Sequence, residues 1–339
     1  MLVDVDKIIE RKPKTLDGLQ GKRVFVTGAA GFIGRHVVDL LLDKGAVVDA
    51  LVLYNKELSI GPLKGLKAQY PSRLQIRLGN VLEPNTYKWM LRYQPDYVIH
   101  MAAHVCVPFS ADVPLWYERN NVHGYLTLLE QVVELCQTTR VVYISSSEVY
   151  GNQHSMVALD GIDEDAPLEP RSVYAVTKMT CEHYTRVYGL MRGLEYVIVR
   201  PFNTFGPGQS QRAVIPHIIA HALRDEAVPL ANVSAMRDWN YVTDTAEGIL
   251  RTALHGDAGE AYNIGSGLMF RVAEVVDIVQ DILDEDVVVQ PTMSRARPGD
   301  TEVDWLRCDY SKAAQDVGYD PAVGFKTGLK MLIEYMRKK

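Results

Sequence analysis

Cysteine is scarce in this chain. Only four occur in 339 residues, at Cys106, Cys136, Cys181 and Cys308. No two form a C-x-x-C pair, so neither a zinc site nor a disulfide framework is signalled. Four buried, reduced thiols acting as small hydrophobes is the simplest reading. No apolar run approaches the roughly 18 residues of a membrane span. The N-terminus, M-L-V-D-V-D-K-I-I-E-R-K-P-K, lacks the apolar core and basic flank of a signal peptide, which implies a cytoplasmic protein. An excess of positive charge is also missing. The formal net charge is −6, which argues against an extended nucleic-acid surface. There is no internal repeat, no low-complexity tract and no G-x-S-x-G elbow, so a serine hydrolase is disfavoured. The composition that remains is near the globular average, and a chain of this length buries a full core without disulfides or structural metal.

The first twenty residues are polar and read as an arm or a loose helix. Regular structure starts at Arg23-Val24-Phe25-Val26, a short apolar strand entering a glycine-rich turn. Ile33, Val37, Leu40 and Leu41 then fall at helical spacing, and Gly45 ends that helix. Val47 to Leu53 is the next strand. Further apolar runs at Leu74–Leu78, Tyr97–Ile99, Val141–Ile144 and Tyr196–Val199 alternate with helical patterns. That alternation predicts a parallel sheet covered on both faces. Beyond Arg200, prolines and glycines punctuate the chain, with a helical pattern over Tyr241–Leu254 and an acidic helix ending near Asp286. This half reads as a smaller domain packed across the carboxyl ends of the strands.

The strongest local signal is Thr27-Gly28-Ala29-Ala30-Gly31-Phe32-Ile33-Gly34, between the first strand and the first helix. Gly28 permits a tight turn, Gly31 lets backbone approach a pyrophosphate, and Gly34 lets helix and strand pack closely. The helix start offers free N–H groups and a positive dipole end to phosphates. A dinucleotide site follows from that context. An acid about 20 residues on would grip the ribose hydroxyls. Asp49 has the spacing but lies mid-strand, and the strand end carries Tyr54 and Asn55. Arg35 could meet a 2′-phosphate. NAD is the expected cofactor, with NADP left open.

Tyr174 and Lys178 stand at i and i+4, sharing one helix face. A lysine charge nearby lowers a tyrosine pKa from its usual value near 10 and suits the phenol to proton exchange. Ser145-Ser146-Ser147-Glu148 leaves the carboxyl end of the Val141–Ile144 strand, where ligands of open α/β sheets bind. Ser146 can address the same substrate oxygen as Tyr174, and Glu148 brings a carboxylate into the same cleft. His217 and His221 are also i, i+4, but no third ligand is identifiable, so no metal is expected. His100 and His104 read as packing or hydrogen-bonding residues.

Together the glycine motif, the S-S-S-E-V-Y-G segment and Tyr174/Lys178 resemble an extended short-chain dehydrogenase/reductase acting on nucleotide sugars. The resemblance runs from about Lys22 to Met336 and includes His100-Met101-Ala102-Ala103, Arg200-Pro201-Phe202-Asn203-Thr204-Phe205-Gly206-Pro207 and Arg237-Asp238-Trp239-Asn240-Tyr241-Val242. Within that family, Ser146-Ser147-Glu148 is similar to the dehydratases and decarboxylases rather than to the 4-epimerases. Val52-Leu53-Tyr54-Asn55, Gln209–Pro216 and Arg297-Pro298-Gly299-Asp300-Thr301-Glu302-Val303 resemble the configuration-retaining UDP-N-acetylglucosamine 4,6-dehydratases of the legionaminic-acid type.

The resemblance implies an α/β fold, a Rossmann-like doubly wound parallel sheet with a smaller α/β substrate-binding domain. It assigns 1–199 with 238–263 to the dinucleotide domain and 200–237 with 264–339 to the nucleotide-sugar domain. It implies cofactor contacts at Gly28, Ala30, Gly31, Phe32, Ile33, Tyr54, Asn80, Val81, Ala102, Tyr174 and Lys178. Substrate contacts fall on Asn203, Arg212, Arg237, Arg297 and Asp300. The implied cycle oxidises carbon 4 with Tyr174 as base, removes water across carbons 5 and 6 through Glu148, and returns the hydride to carbon 6. Ser147 stands where many relatives carry an aspartic acid, so Glu148 serves both proton steps or the donor lies elsewhere. A 4-epimerase or UDP-glucuronate decarboxylase is the alternative enzyme, and a non-catalytic dinucleotide sensor the alternative class. The helix bearing Tyr174 and the one through Val122–Leu135 imply a homodimer.

Overall fold

The computed structural model describes residues 14–136, 138–153, 161–292, 297 and 301–338. Along the chain, β1 (Arg23–Thr27), β2 (Val47–Leu53), β3 (Leu74–Gly79), β4 (Tyr97–His100), β5 (Arg140–Ile144) and β6 (Tyr196–Pro201) build one sheet. The chain then leaves it for β7 (Asn203–Phe205), β8 (Val228–Leu230) and β9 (Met236–Tyr241). It returns to the sheet edge as β10 (Ala261–Ile264), then leaves again for β11 (Met269–Arg271), β12 (Val289–Pro291) and β13 (Trp305–Leu306). The large sheet has the order β3-β2-β1-β4-β5-β6-β10, with every pair parallel. This is the doubly wound order, extended by one strand.

These strands are buried on both faces, which is why they read as continuous β-branched runs rather than alternating ones. Helices Phe32–Asp43 and Val242–His255 cover one face, contributing Val37, Val38, Leu41, Ile249 and Leu250 to a core with Val24, Val26 and Val142. Helices Gly124–Leu135 and Val173–Arg192 cover the other, where Tyr125, Leu128, Leu129 and Cys181 meet Phe25, Val98 and Val141. Each such side chain contributes about 1.5–3 kcal/mol on full burial. Leu16 and Leu19 pack into the first core, so residues 16–19 are not the loose arm expected. The edge strand Ala261–Ile264 was absent from the expected strand set, because Ala-Tyr-Asn-Ile is too short to show a period.

Strands β11, β9, β13 and β7 form a second sheet and β8 pairs β12 in a third, around a core of Ile218, Ile219, Trp239, Val275 and Leu329. All six residues of β9 lie in the second sheet, so the domain boundary expected at 238 falls inside a strand. No turn separates β9 from the helix beginning at Val242, so the sequence carries no break where the chain passes from the second sheet to the helix covering the first. A fourth cluster, including Val149, Tyr150, Ile162, Phe202, Val303 and Leu306, ties this smaller lobe to the turn after β5. Three of the cysteines are buried and free, while Cys106 is only half-buried. No described helix is long and apolar enough to cross a membrane.

Candidate active site

The order of the large sheet reverses between β1 and β4, and a crevice opens beyond their carboxyl ends. Gly28, at φ +66°, makes the turn out of β1. A Cβ there would lie 2.8 Å from the Ala102 nitrogen, because the segment after β4 presses on the turn. Thr27 fastens that segment, its Oγ1 accepting the N–H groups of Met101 and Ala102 at 3.1 Å each. Thr27 Oγ1 also pairs with His100 Nδ1 at 3.0 Å. Burial, with the Lys178 charge, lowers the His100 pKa to about 3 and keeps the ring neutral. The helix then starts at Phe32 with Gly31 as its cap and no capping side chain. Its first N–H groups therefore face the crevice without a side-chain partner, which is the arrangement that binds anions.

Gly34 shows how tight this turn is. A Cβ would stand 2.2 Å from the Gly28 carbonyl oxygen. Gly34→Ala should therefore cost about 1–3 kcal/mol through overpacking. Thermal unfolding and calorimetric titration with NAD would show a lower melting temperature and weaker binding. Unchanged values would mean the turn yields freely and does not depend on glycine.

The remaining expected cofactor residues also sit beyond carboxyl strand ends. Tyr54 is exposed after β2. Asn80 follows β3 and its Oδ1 accepts the Leu82 N–H at 3.0 Å. Val81 is buried against Gly124. Ala30 and Ile33 lie in the turn and the first helical turn. Two adenosine-side candidates are elsewhere. Asp49 is buried mid-strand and bonded to Arg23 Nη1 at 2.8 Å, so it cannot grip a ribose. Arg35 donates to the Pro207 carbonyl and holds the first helix against the Gly206–Gly208 loop.

Helix Val173–Arg192 carries Tyr174 and Lys178, and Ser172 caps it by accepting the Ala175 N–H at 3.1 Å. Lys178 donates its ammonium to the Ile144 carbonyl at 2.6 Å, at the end of β5. Burial lowers its pKa to about 8, opposed by Cys181 and Glu182. Tyr174 contradicts the sequence expectation. Its pKa lies above 10 because burial dominates, despite the neighbouring Ser146 hydroxyl that favours the phenolate, and Glu148 pushes it further up. The Lys178 ammonium is 5.9 Å from the Tyr174 ring centre and committed to a carbonyl, so sharing a helix face does not by itself depress the phenol.

Ser146 caps the short turn Ser147–Tyr150, accepting the Glu148 N–H at 3.2 Å. Ser147 is buried, and the buried Ser145 Oγ has no hydrogen-bond partner among the described residues. Glu148 lies in the same cleft as Tyr174, Lys178, Ser146 and Asn203. Arg297 donates Nη1 and Nη2 to the two Glu148 oxygens at 3.0 and 2.9 Å. Burial opposes ionisation of Glu148, but Arg297 and Arg237 outweigh it and hold the carboxyl below its usual range. Glu302 faces both arginines, at 3.2 Å from Arg237 and 3.5 Å from Arg297.

Arg237 and Arg297, expected on substrate, are thus drawn together beside Glu148 by Glu302, and Arg297 pairs with Glu148 directly. The Asn203 amide oxygen is buried without a partner among the described residues. Arg212 is exposed, and its charge is felt by Tyr117. Asp300 lies outside the described residues. The sequence reading missed Glu302, and it missed Asn121. Asn121 sits in a π-helical turn, accepts the His104 N–H at 2.8 Å and donates to Thr177 Oγ1 at 3.0 Å. It joins the segment after β4 to the Tyr174 helix, and such π turns often occur at functional sites. Among the described residues no three metal-ligating side chains gather. His217 Nε2 instead pairs with the Pro229 carbonyl at 3.1 Å.

A dinucleotide-type crevice faced by Ser146, Tyr174, Lys178 and a buried carboxylate defines an extended short-chain dehydrogenase/reductase. More particularly, the chain belongs to the GDP-mannose 4,6 dehydratase family, whose model matches residues 25–332. It is 29% identical over 336 residues to a dTDP-glucose 4,6-dehydratase of Shigella flexneri, covering 92% of both chains. Among solved structures it is similar to the dTDP-glucose 4,6-dehydratase of Streptomyces venezuelae with NAD bound, at 30% identity and TM-score 0.83, covering 93% of this chain and 97% of that one. It is also similar to a UDP-N-acetylglucosamine 4-epimerase of Methanobrevibacter ruminantium, at 29% identity and TM-score 0.82, covering 94% and 99%. It is a member of a family of nucleotide-sugar dehydratases and epimerases.

Proposed function

We propose that this chain is an NAD-dependent nucleotide-sugar 4,6-dehydratase, with UDP-N-acetylglucosamine as its substrate and a 4-keto-6-deoxy sugar nucleotide as its product. The observation that carries this reading is the buried Glu148 carboxylate in one cleft with Tyr174 and Ser146. Dehydration needs a base for carbon 5, and epimerisation does not.

The residues present fit the cofactor. Gly28 and Gly34 have no room for a Cβ, so the turn packs backbone against backbone and ends at an uncapped helix start that suits a phosphate. Arg35, the candidate for a 2′-phosphate, is held by Pro207, which favours NAD over NADP. Bound there, NAD supplies a hydride acceptor that later gives the hydride back. Lys178 anchors the floor of the site at Ile144. Tyr174, whose phenolate the Ser146 hydroxyl favours against the burial that raises its pKa, takes the proton of the 4-hydroxyl as carbon 4 becomes a ketone. That ketone acidifies the hydrogen on carbon 5, and Glu148 removes it as a proton and passes it to the 6-hydroxyl, which leaves as water while the carbon 5–carbon 6 double bond forms. Arg297 keeps Glu148 ionised beforehand. A diphosphate carries about two negative charges and competes for the same planar guanidinium.

Arg237→Ala should raise the KM for the nucleotide sugar about tenfold or more while NAD affinity stays the same, since hydrogen bonds to charged groups contribute about 1.5–3 kcal/mol. Unchanged substrate affinity would remove Arg237 from the binding site. We also propose a homodimer, since Val176, Val187, Leu190 and Met191 leave apolar surface exposed on the Tyr174 helix. Light scattering at micromolar concentration tests it.

A 4-epimerase is the second reading, favoured by the likeness to solved epimerases. Incubation with UDP-N-acetylglucosamine, dTDP-glucose and UDP-glucuronate in deuterated water separates the reactions by mass. A dehydratase loses water and takes up deuterium at carbon 5. An epimerase changes neither, and a decarboxylase loses carbon dioxide.

A further inference from the structure

Arg200 is the largest fully buried side chain among the described residues, and the site chemistry described above does not use it. Its Nε and Nη2 donate to the two carboxylate oxygens of Glu182 at 3.0 and 2.7 Å. Its Nη1 donates to the Tyr150 hydroxyl at 2.7 Å and to the Glu164 carbonyl at 3.1 Å. Tyr150 in turn donates to Asn263 Oδ1 on β10 at 2.8 Å. Glu182 is fully buried, and no other cation is within ion-pair distance of it among the described residues. It sits one helical turn beyond Lys178 and two beyond Tyr174, on the same face. Tyr150 ends the turn that carries Glu148.

We propose that Arg200 is the positioning residue of this site: its fork ties the helix bearing Tyr174 and Lys178 to the turn bearing Glu148, and it keeps the Glu182 carboxylate from capturing Lys178. The part concerning Glu148 rests on the dehydratase reading; the part concerning Lys178 does not. A buried ion pair is a poor device for stability alone, because its desolvation offsets much of its attraction and apolar residues of similar volume often do as well. Its use here is geometric. One planar group meets both catalytic arms at once, where Lys178 otherwise joins the helix to the end of β5 through the Ile144 carbonyl. Lys178 is also the natural rival for Glu182. An unpaired Glu182 four residues along the helix would draw the ammonium off the Ile144 carbonyl.

The groups facing Lys178 are few. They are the Tyr143 ring of β5 at 5.2 Å, Tyr174, Cys181 and Glu182 on its own helix, and the neutral His100 of β4. Of these, only Glu182 changes its pairing when Arg200 is replaced. The test therefore follows Lys178 by NMR of isotope-labelled lysine in the full chain, assigned with Lys178→Met, and measures turnover beside it. In Arg200→Met the Lys178 titration midpoint should rise, and in the Arg200→Met/Glu182→Leu double variant it should fall back. Tyr150→Phe keeps the ion pair but cuts the tie to the turn. It should lower kcat about tenfold to a hundredfold at near-constant KM and melting temperature, the scale of a small misplacement of reacting groups. Arg200→Lys, which cannot hold Glu182 and Tyr150 together, should recover melting temperature better than it recovers kcat.

An unmoved Lys178 midpoint in Arg200→Met would overturn the proposal, and so would wild-type kcat in a folded Tyr150→Phe. Should Arg200→Met fail to fold, Arg200→Gln, which keeps a hydrogen-bonding side chain but leaves Glu182 without its counter-charge, takes its place against the Arg200→Gln/Glu182→Leu double variant, and an unmoved midpoint there overturns the proposal equally. The NMR readout needs no substrate. Failure of the dehydratase reading would appear separately, as wild-type protein that yields no 4-keto-6-deoxy product.

Discussion

Glu148→Gln should leave the fold intact and let the nicotinamide signal of the first oxidation develop, yet abolish release of 4-keto-6-deoxy sugar. The expected loss in turnover is about 10²–10⁴-fold, the usual contribution of a positioned acid–base group. The reason lies in where the carboxylate is. It is buried in the Tyr174 cleft, and its two oxygens accept from Arg297. Glutamine keeps the shape but cannot take a proton from carbon 5. Rapid-quench mass spectrometry in deuterated water checks both halves: oxidised intermediate without deuterium at carbon 5 is the expected pattern. Product formed at the wild-type rate would end the dehydratase reading. The same pair sets a pH dependence. The Glu148 carboxyl is held below its ordinary 4.5 by Arg297, so its stabilising contribution is present above about pH 4.5 and lost as pH falls through the lower folded value. The wild-type acid limb of kcat/KM, which reports the free enzyme, should therefore lie below 4.5.

Tyr174→Phe should fail one step earlier. Without the phenol no group beside Ser146 in the cleft can take the 4-hydroxyl proton, so the nicotinamide signal and product should both fall, again by about 10²–10⁴-fold. NAD affinity should change little, since the glycine turn and the helix start are untouched. The contrast between the two variants separates oxidation from water loss within one active site. Substantial oxidation by Tyr174→Phe would transfer the first proton step to another residue. Because burial raises the Tyr174 pKa and lowers that of Lys178 to about 8, loss of the lysine charge should shape the alkaline limb near that pH.

Much of the architecture could be read along the chain because the relevant physics is local. A glycine turn between an apolar strand and a helix needs only its neighbours. Tyr174 and Lys178 share a face by helical spacing alone. The parallel sheet follows from β-branched runs too apolar for any exposed face, and all six long strands of the expected set are present. The short edge strand Ala261–Ile264 and the β9 junction at Val242 were not legible, because neither carries a period or a break.

By itself, then, the order of residues determined the fold class, the glycine turn after the first strand and the elements that carry Ser146, Tyr174 and Lys178 into one cleft. Only the tertiary structure decided how those groups are charged and held. Glu148 and Arg297 are 149 positions apart, Arg200 and Glu182 are 18 apart, and Asn121 reaches Thr177 over 56. Desolvation depends on everything packed around a group, so Tyr174 was expected low and is found high. Hydrophobic patterning specifies which faces are buried, while pairing among buried polar groups is settled only when those faces meet.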